Sequence, residues 1–381
     1  MSKKKITVIL FVCLLALYGY FNNIQISEFS NIQQATTAII PTDVMSDNNL
    51  SNVTEKTVNQ QTSNADVTGD IDTFSCLSAL AYDIEEMEAL DEKINEQFQK
   101  IDESFSIEDA FNYAVFATPP KDKDRLDLLL AYQQSSPSNP IVGNGIITSC
   151  IKSPDDRCTN ETIADAINTD RNNGATWLSA ILFYAANKDD DKVISAITEL
   201  EKTSFFNERF GEIALSYAQA LEGKADTNFS LNAMSGIGKS ASYYLPAYSP
   251  MTKWCKTDIN NIGKASYCLS LGEQLETRSK TLISTMIGFA LQETVYEAQQ
   301  NNDARALVNK RSEEALKGSE AFQRVNLMIM LDERLTRSWL KNIDIYGEIG
   351  AQEILIQEAE ALYEQNDNYL CSMVYNLLDS F

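Results

Sequence analysis

Apolar residues recur at helical spacing in four neighbouring segments: ETIADAIN (161–168), ATWLSAILFYAAN (175–187), KVISAITELEK (192–202) and NERFGEIALSYAQALE (207–222). In the fourth segment the intervals are three and four residues, which places the apolar side chains on one core-facing stripe of a helix. That stripe consists of Phe210, Ile213, Ala214, Tyr217, Ala218 and Leu221. Turn-forming residues separate the segments, so the sequence predicts short helices stacked as helical hairpins.

The same pattern extends from about Ile71 to Phe381, which predicts one all-α domain over 71–381. One predicted helix begins after Ser106, which can cap its start and is followed by acidic residues in the first turn. Pro119 ends this helix about three turns later. Further helices are predicted at 77–101, 124–134, 269–300 (with a break near 277–279), 303–317, 320–340, 347–363 and 367–378.

The predicted helix at 77–101 has two interpretations. Apolar residues at every seventh position would suit a short coiled coil. A coiled coil also needs a second row of apolar residues with the same seven-residue spacing, and Asp91 interrupts that row. The interruption favours packing of this helix on its own domain.

Residues 224–265 interrupt the helical pattern and are interpreted as a sub-boundary of the domain. AMSGIGKS (233–240) fits a permissive phosphate-loop pattern, but that motif needs a hydrophobic strand before it. The preceding residues are polar, so we predict a flexible loop without a nucleotide. The segment Tyr243–Met251 is predicted to lie outside any helix, either as a loop across the core or as a partner-binding strip formed by Tyr243, Tyr244 and Tyr248.

The N-terminus has the pattern of an export signal. Three lysines in MSKKK (1–5) precede an uncharged apolar run from Ile6 to Phe21. No small-residue cleavage pattern follows, so we predict that residues 1–21 form an uncleaved signal anchor. The lysines predict a cytoplasmic N-terminus, with the rest of the chain in the periplasm. The alternative is a cleaved signal and a soluble periplasmic or secreted protein. Residues 22–70 are polar without helical period, which predicts a disordered tether.

The chain contains seven cysteines, of which Cys13 lies in the apolar run. The exported side favours disulfides, and two pairs close short loops with turn residues: Cys150 with Cys158, and Cys255 with Cys268. Cys76 and Cys371 remain, and the sequence leaves open whether they pair with each other or stay unpaired. Zinc is the alternative for close cysteines, but the spacings are not Cys-x2-Cys and no histidine completes a ligand set.

The chain contains no histidine, which excludes Ser-His-Asp and Cys-His catalysis and His-ligated metal centres. Its net charge of −23 makes nucleic acid and anionic lipid surfaces poor partners. No catalytic constellation, cofactor site or metal site is therefore predicted. Paired carboxylates are the surviving catalytic option, at Glu85-Glu86, Asp189–Asp191 or Glu313-Glu314, and each pair also fits a solvated helix face or turn.

Trp177, Ala180 and Tyr184 are spaced as in the first helix of a tetratricopeptide repeat, and Ala196, Ile197 and Leu200 resemble its second helix. Ile181 stands where that repeat usually has glycine. The 150–158 loop leading into Thr176-Trp177-Leu178, and the region from 267 to 288, are similar to uncharacterised exported α-helical proteins of gammaproteobacteria. The resemblance covers about 140 residues of loose pattern and implies an all-α, irregular tetratricopeptide-like hairpin stack, without an activity.

These features lead to one functional expectation. The chain is predicted to be a membrane-anchored periplasmic interaction or scaffold module, non-catalytic, with a protein partner in the cell envelope and membrane contact through its N-terminal helix only. The alternative is a cell-envelope enzyme of glycosidase type that uses carboxylates alone.

The uncleaved anchor predicts the start of the mature protein. N-terminal sequencing of protein purified from membranes should find Met1 or Ser2, because no small-x-small cleavage pattern follows Ala16. A start between Leu17 and Ile26 would contradict the anchor and make the protein a soluble secreted one.

Overall fold

The computed structural model describes residues 96–98, 106–223, 229–244, 248–316, 328–329 and 332–365, without the side chains of 242–244 and 363–365. These residues all fall within Leu90–Tyr369, one of two units of the chain. Every regular element among them is an α-helix, beside an isolated bridge between Asn173 and Phe205. The predicted anchor, the tether and the pair Cys76–Cys371 lie outside the described residues.

The described helices follow one another with short connections, and helices adjacent in sequence commonly pack against each other. Their bounds are α1 Ile107–Phe116, α2 Arg125–Ser135, α3 Pro140–Lys152, α4 Asn160–Asn168, α5 Gly174–Ala186, α6 Asp190–Lys202, α7 Phe210–Leu221, α8 Phe229–Tyr244, α9 Ser249–Lys256, α10 Ile262–Arg278, α11 Leu282–Ala298, α12 Asn302–Leu316 and α13 Glu333–Gln365.

The four segments that predict helices at 161–222 form α4 to α7, and the predicted all-α class is confirmed for the described residues. Side-chain caps set several helix starts: Ser106 caps α1, Asp124 caps α2 in a capping box, and Thr159 caps α4. The predicted break near 277–279 is also confirmed, because α10 ends at Arg278 and α11 begins at Leu282.

Helix α5 is the central element of the described unit. It is buried around most of its circumference, as its nearly continuous apolar sequence requires. Ala180 and Phe183 belong to one hydrophobic cluster, which α1 to α4 and α7 also form. Leu178, Ile181 and Leu182 belong to a second cluster with α6 and α9 to α11. The two clusters therefore meet at α5.

Two disulfides lie within the described residues, and both are those predicted. Cys150 and Cys158 join the end of α3 to the turn before α4, with an S–S distance of 2.07 Å. Cys255 and Cys268 join α9 to α10, with an S–S distance of 2.08 Å. Each bond closes a short loop and restricts the unfolded chain more than the folded one.

The expectation of irregular structure across 224–265 is wrong for most of these residues. Residues 229–244 form α8, which contains the phosphate-loop-like pattern, and residues 249–256 form α9. Gly236 belongs to this helix because α8 packs very closely on α7: a Cβ at Gly236 would lie 2.7 Å from the backbone oxygen of Ala214. The glycine marks a helix contact and not a turn.

The connection between α6 and α7, Thr203–Arg209, is here called the α6–α7 linker. The amide side chain of Asn173, 1% exposed, binds it twice: its oxygen accepts from Asn207 N at 2.9 Å and its nitrogen donates to Asn207 O at 2.8 Å. The same side chain caps α5 through Ala175 N and donates to Asp170 at 2.9 Å. One buried amide therefore joins the start of α5 to the linker.

Replacing Asn173 with Ala should reduce the free energy of unfolding by about 2–4 kcal/mol, because buried partners lose their hydrogen bonds. Urea unfolding of the purified chain measures this change. Asn309→Ala, at an exposed position of α12, is the matched control and should change stability by less than about 0.5 kcal/mol. A loss below about 1 kcal/mol for Asn173→Ala would contradict the role assigned to this amide.

Candidate functional site

A groove lies on the surface where α4, α5 and α6 meet, and we call it the α4–α6 groove. Its volume is about 280 Å³. The described residues that line it are Ala164, Ile167, Asn168, Arg171, Trp177, Tyr184, Lys192, Ser195 and Ala196. A second cavity, near Asn173 and Arg209, has a volume of only about 10 Å³, which is enough for at most one water molecule.

The groove is open because the helices on either side present small residues to it. Ala164 of α4 and Ser195 of α6 are exposed, and Ala196 is buried at the base of α6. Larger side chains at these positions would fill the space. The floor is supplied by α5, which projects Trp177 and Tyr184 on one face, two helical turns apart.

The two aromatic side chains are held in place but are only partly buried. Both side chains pack against the two hydrophobic clusters while remaining partly accessible. Trp177 Nε1 donates to the backbone oxygen of Arg171 at 2.8 Å, which orients the indole ring. Burial raises the pKa of the Tyr184 hydroxyl, so this group stays neutral at physiological pH.

The groove carries two cations. The Lys192 ammonium lies 5.5 Å from the centre of the Tyr184 ring, 2.9 Å from Asp189 and 2.8 Å from Asn160. The Arg171 side chain is 64% exposed, and its contact with Glu199 is long, at 4.0 Å. The described lining therefore combines basic and aromatic side chains without a carboxylate.

Of the two interpretations of the segment Tyr243–Met251, packing across the core holds for Tyr248. This residue is 7% exposed and its hydroxyl hydrogen-bonds to Ser284 at 2.6 Å, so its assignment to a partner-binding strip is wrong. Burial raises the pKa of this hydroxyl well above its usual range. The backbone of Tyr243 and Tyr244 ends α8, and their side chains lie outside the described residues.

The carboxylate pairs considered for catalysis are dispersed. Asp189 caps α6, and Asp190 accepts from Trp254 Nε1 at 2.9 Å. Glu314 lies on α12, 3.9 Å from Lys310. Glu85 and Glu86 lie outside the described residues. In the part of the chain that the structure describes, no group of three or more Cys, Asp or Glu is arranged to hold a metal ion.

Three other carboxyl groups meet where the α6–α7 linker approaches α11 and α13, and we call them the acidic junction: Glu208, Asp344 and Glu348. Glu208 accepts from Lys280 N at 2.9 Å and from the Thr281 hydroxyl at 2.9 Å. Glu348 accepts from Leu282 N at 2.8 Å. Both carboxylates thus bind the N-terminus of α11, where the helix dipole and free N–H groups favour negative charge.

Asp344 has the same role for α7, whose N-cap residue Arg209 makes no side-chain cap. Its carboxylate accepts from Gly211 N at 3.3 Å and also from the backbone of Glu212. Burial, together with the charges of Glu212 and Glu208, raises the pKa of Asp344 to about 7. Burial and Glu208 likewise raise the pKa of Glu348. The junction is a set of helix caps contributed by other parts of the fold.

The sequence identifies Trp177 and Tyr184 through their repeat-like spacing but assigns them no binding role. It singles out neither Arg171 nor Lys192, and the opening between α4 and α6 depends on Ala164, which follows no motif. One sequence signal for the groove was available: two aromatic residues seven positions apart, Trp177 and Tyr184, with a basic residue before the first and after the second.

Comparisons with protein-family models, curated proteins and solved structures find no match for this chain. Within the described residues, no helix is both long and apolar enough to cross a membrane. The predicted membrane anchor lies outside those residues.

The acidic junction predicts a pH dependence of stability. As pH rises from about 4 to 7, the unfolded chain has already lost the Asp344 proton, whereas the folded chain must give it up from a buried site, so stability falls. Asp344→Asn keeps an acceptor for Gly211 and cannot ionise. At pH 8 it should be more stable than the wild type by about 1–2 kcal/mol, allowing for partial exposure, with little difference at pH 4.

Thermal unfolding at several pH values measures this effect. Asp165→Asn, at an exposed position of α4, is the control and should leave the pH profile of the wild type unchanged. An Asp344→Asn variant with the same pH profile as the wild type would show that Asp344 is ionised at no cost in the folded chain.

Proposed function

We propose that this chain is an exported, membrane-anchored interaction module of the cell envelope, without catalytic activity, cofactor or metal. In this proposal the tetratricopeptide-like hairpin of α5 and α6, together with α4, presents the α4–α6 groove to a protein partner. The N-terminal anchor and the tether would place this groove on the periplasmic side of the inner membrane.

The observation that carries the proposal is the composition of the groove. Trp177, Tyr184 and Arg171 belong to the three residue types most enriched among the energetically dominant residues of protein interfaces. The two rings keep an accessible face although the neighbouring apolar side chains of α5 are buried. An aromatic surface held open in this way supports a binding role.

The size of the groove favours a peptide segment over a small molecule. Pockets that enclose drug-sized ligands have volumes of roughly 300–1,000 Å³. The α4–α6 groove, at about 280 Å³, is open to the surface and falls just below that range. It suits a few side chains of a larger partner.

The disulfides support the exported location, because such bonds persist in oxidising compartments. The alternative, an envelope enzyme with paired carboxylates, is less well supported. A glycosidase needs two carboxyl groups facing one substrate cleft. The carboxyl groups of the acidic junction instead accept hydrogen bonds from backbone groups at helix starts.

Blocking the groove tests the proposal. Ala164 is exposed on α4, so Ala164→Trp should fill the groove without disturbing the core or changing stability by more than about 0.5 kcal/mol. We expect this variant to lose the envelope protein that the wild type retains when the full-length chain is purified from solubilised membranes after crosslinking. Quantitative mass spectrometry of the crosslinked products measures the loss.

Ala306→Trp is the matched control, since it makes the same change at an exposed position of α12. It should retain the partner. If every crosslinked protein is retained equally by both variants, the groove is not the binding surface and the proposal is contradicted.

A further inference from the structure

We propose that the α4–α6 groove binds an extended acidic peptide segment, with two carboxylate side chains three residues apart and an apolar side chain between them. This inference rests on the groove being the partner-binding site. It adds the chemistry and the spacing of the partner.

The sign of the charge comes from the lining. Among the nine described lining residues two are basic and none is acidic, although Asp and Glu outnumber Lys and Arg by 54 to 31 in the whole chain. A concave surface lined by one sign of charge concentrates its potential. Asp189 and Glu199 offset part of this positive charge from outside the lining, so the attraction for carboxylates of a partner is concentrated at Arg171 and Lys192.

Both cations keep capacity for a further acceptor. Arg171 is mostly exposed, and its ion pair with Glu199 is long, at 4.0 Å, so its guanidinium donors remain able to bind a carboxylate. Lys192 is more constrained, since it contacts Asp189 and Asn160. Its third ammonium hydrogen is the one available to a partner.

The spacing comes from α5. The Lys192 ammonium lies over the Tyr184 ring, and Trp177 donates to the backbone oxygen of Arg171. The Arg171 guanidinium lies 4.0 Å from Glu199, which is seven residues after Lys192 on α6. Trp177 and Tyr184 are seven residues apart on one helix, which separates them by about 10.5 Å along its axis. The groove is thus a short track with a cation and a ring near each end.

An extended segment matches this track better than a helix does. In a polyproline II conformation, residues three apart face the same side at a separation of about 9 Å. A bound helix would need carboxylates seven residues apart to span the same distance. The apolar side chain between the carboxylates would rest against Ala164, Ile167 and Ala196.

Fluorescence anisotropy of a labelled peptide, GPEPFEPG, tests the inference with the full-length chain in detergent. Its prolines favour the extended conformation, and its glutamates are three residues apart. We expect binding that weakens with added salt and that falls at least about tenfold when both glutamates become glutamine. Arg171→Gln and Lys192→Gln should each weaken binding roughly threefold to fivefold.

Lys310→Gln is the matched control for charge, because the Lys310 side chain is 72% exposed on α12, and it should leave binding unchanged. Ala164→Trp should abolish binding, and Ala306→Trp should not. All variants must unfold at the wild-type temperature within a few degrees.

The possible failures separate the two proposals. If the glutamine peptide or its lysine counterpart GPKPFKPG binds as tightly as GPEPFEPG, and Ala164→Trp still abolishes binding, the acidic occupant is wrong and the groove remains a binding site. If the peptide binds Ala164→Trp normally, it binds elsewhere and this inference is wrong. If none of the three peptides binds the wild type, the inference is wrong, while partner capture still decides the proposed function.

Discussion

The hydrogen bonds around the α6–α7 linker connect the two halves of the described unit. Linker residues have few partners of their own, because they belong to neither a helix nor a sheet. They obtain them from distant segments: Asn173 binds Asn207, and Arg278 binds the backbone oxygen of Thr203 at 2.8 Å. The side chain of Glu208, in the linker itself, binds the start of α11. The helices before and after the linker are thereby held in one arrangement.

The groove is a consequence of how α5 is buried. This helix packs against two hydrophobic clusters, which consume most of its surface. What remains is a narrow face bearing Trp177 and Tyr184, and the small residues Ala164 and Ala196 prevent α4 and α6 from covering it. Close packing normally removes such gaps from a protein interior. Here the same helix that joins the two clusters leaves two aromatic rings partly accessible.

Elements with a clear local pattern could be predicted from the sequence, whereas those that depend on distant contacts could not. Helices α4 to α7 were predicted because apolar spacing and turn residues agree. Helix α3 is not among the helices that the sequence predicts. Its Gly143 is required where the helix approaches the Ala166 oxygen, which a Cβ would meet at 2.7 Å. The sequence leaves two interpretations of Tyr248 open, because the partner that decides between them, Ser284, lies 36 residues away. The groove likewise depends on where α4 lies relative to α6, which no local pattern specifies.

Turns between helices commonly tolerate inserted residues during evolution, but the contacts of the connection Ser279–Thr281 restrict its length. Gly347, with φ of 81°, interrupts α13 beside this connection. The Lys280 oxygen accepts from Glu348 N at 2.6 Å, and the Lys280 ammonium donates to the Ile345 oxygen at 2.7 Å. An added residue would shift both contacts and turn the second half of α13 in a new direction. The length of this connection therefore determines the direction of the second half of α13, although the two segments lie more than 60 residues apart in the sequence.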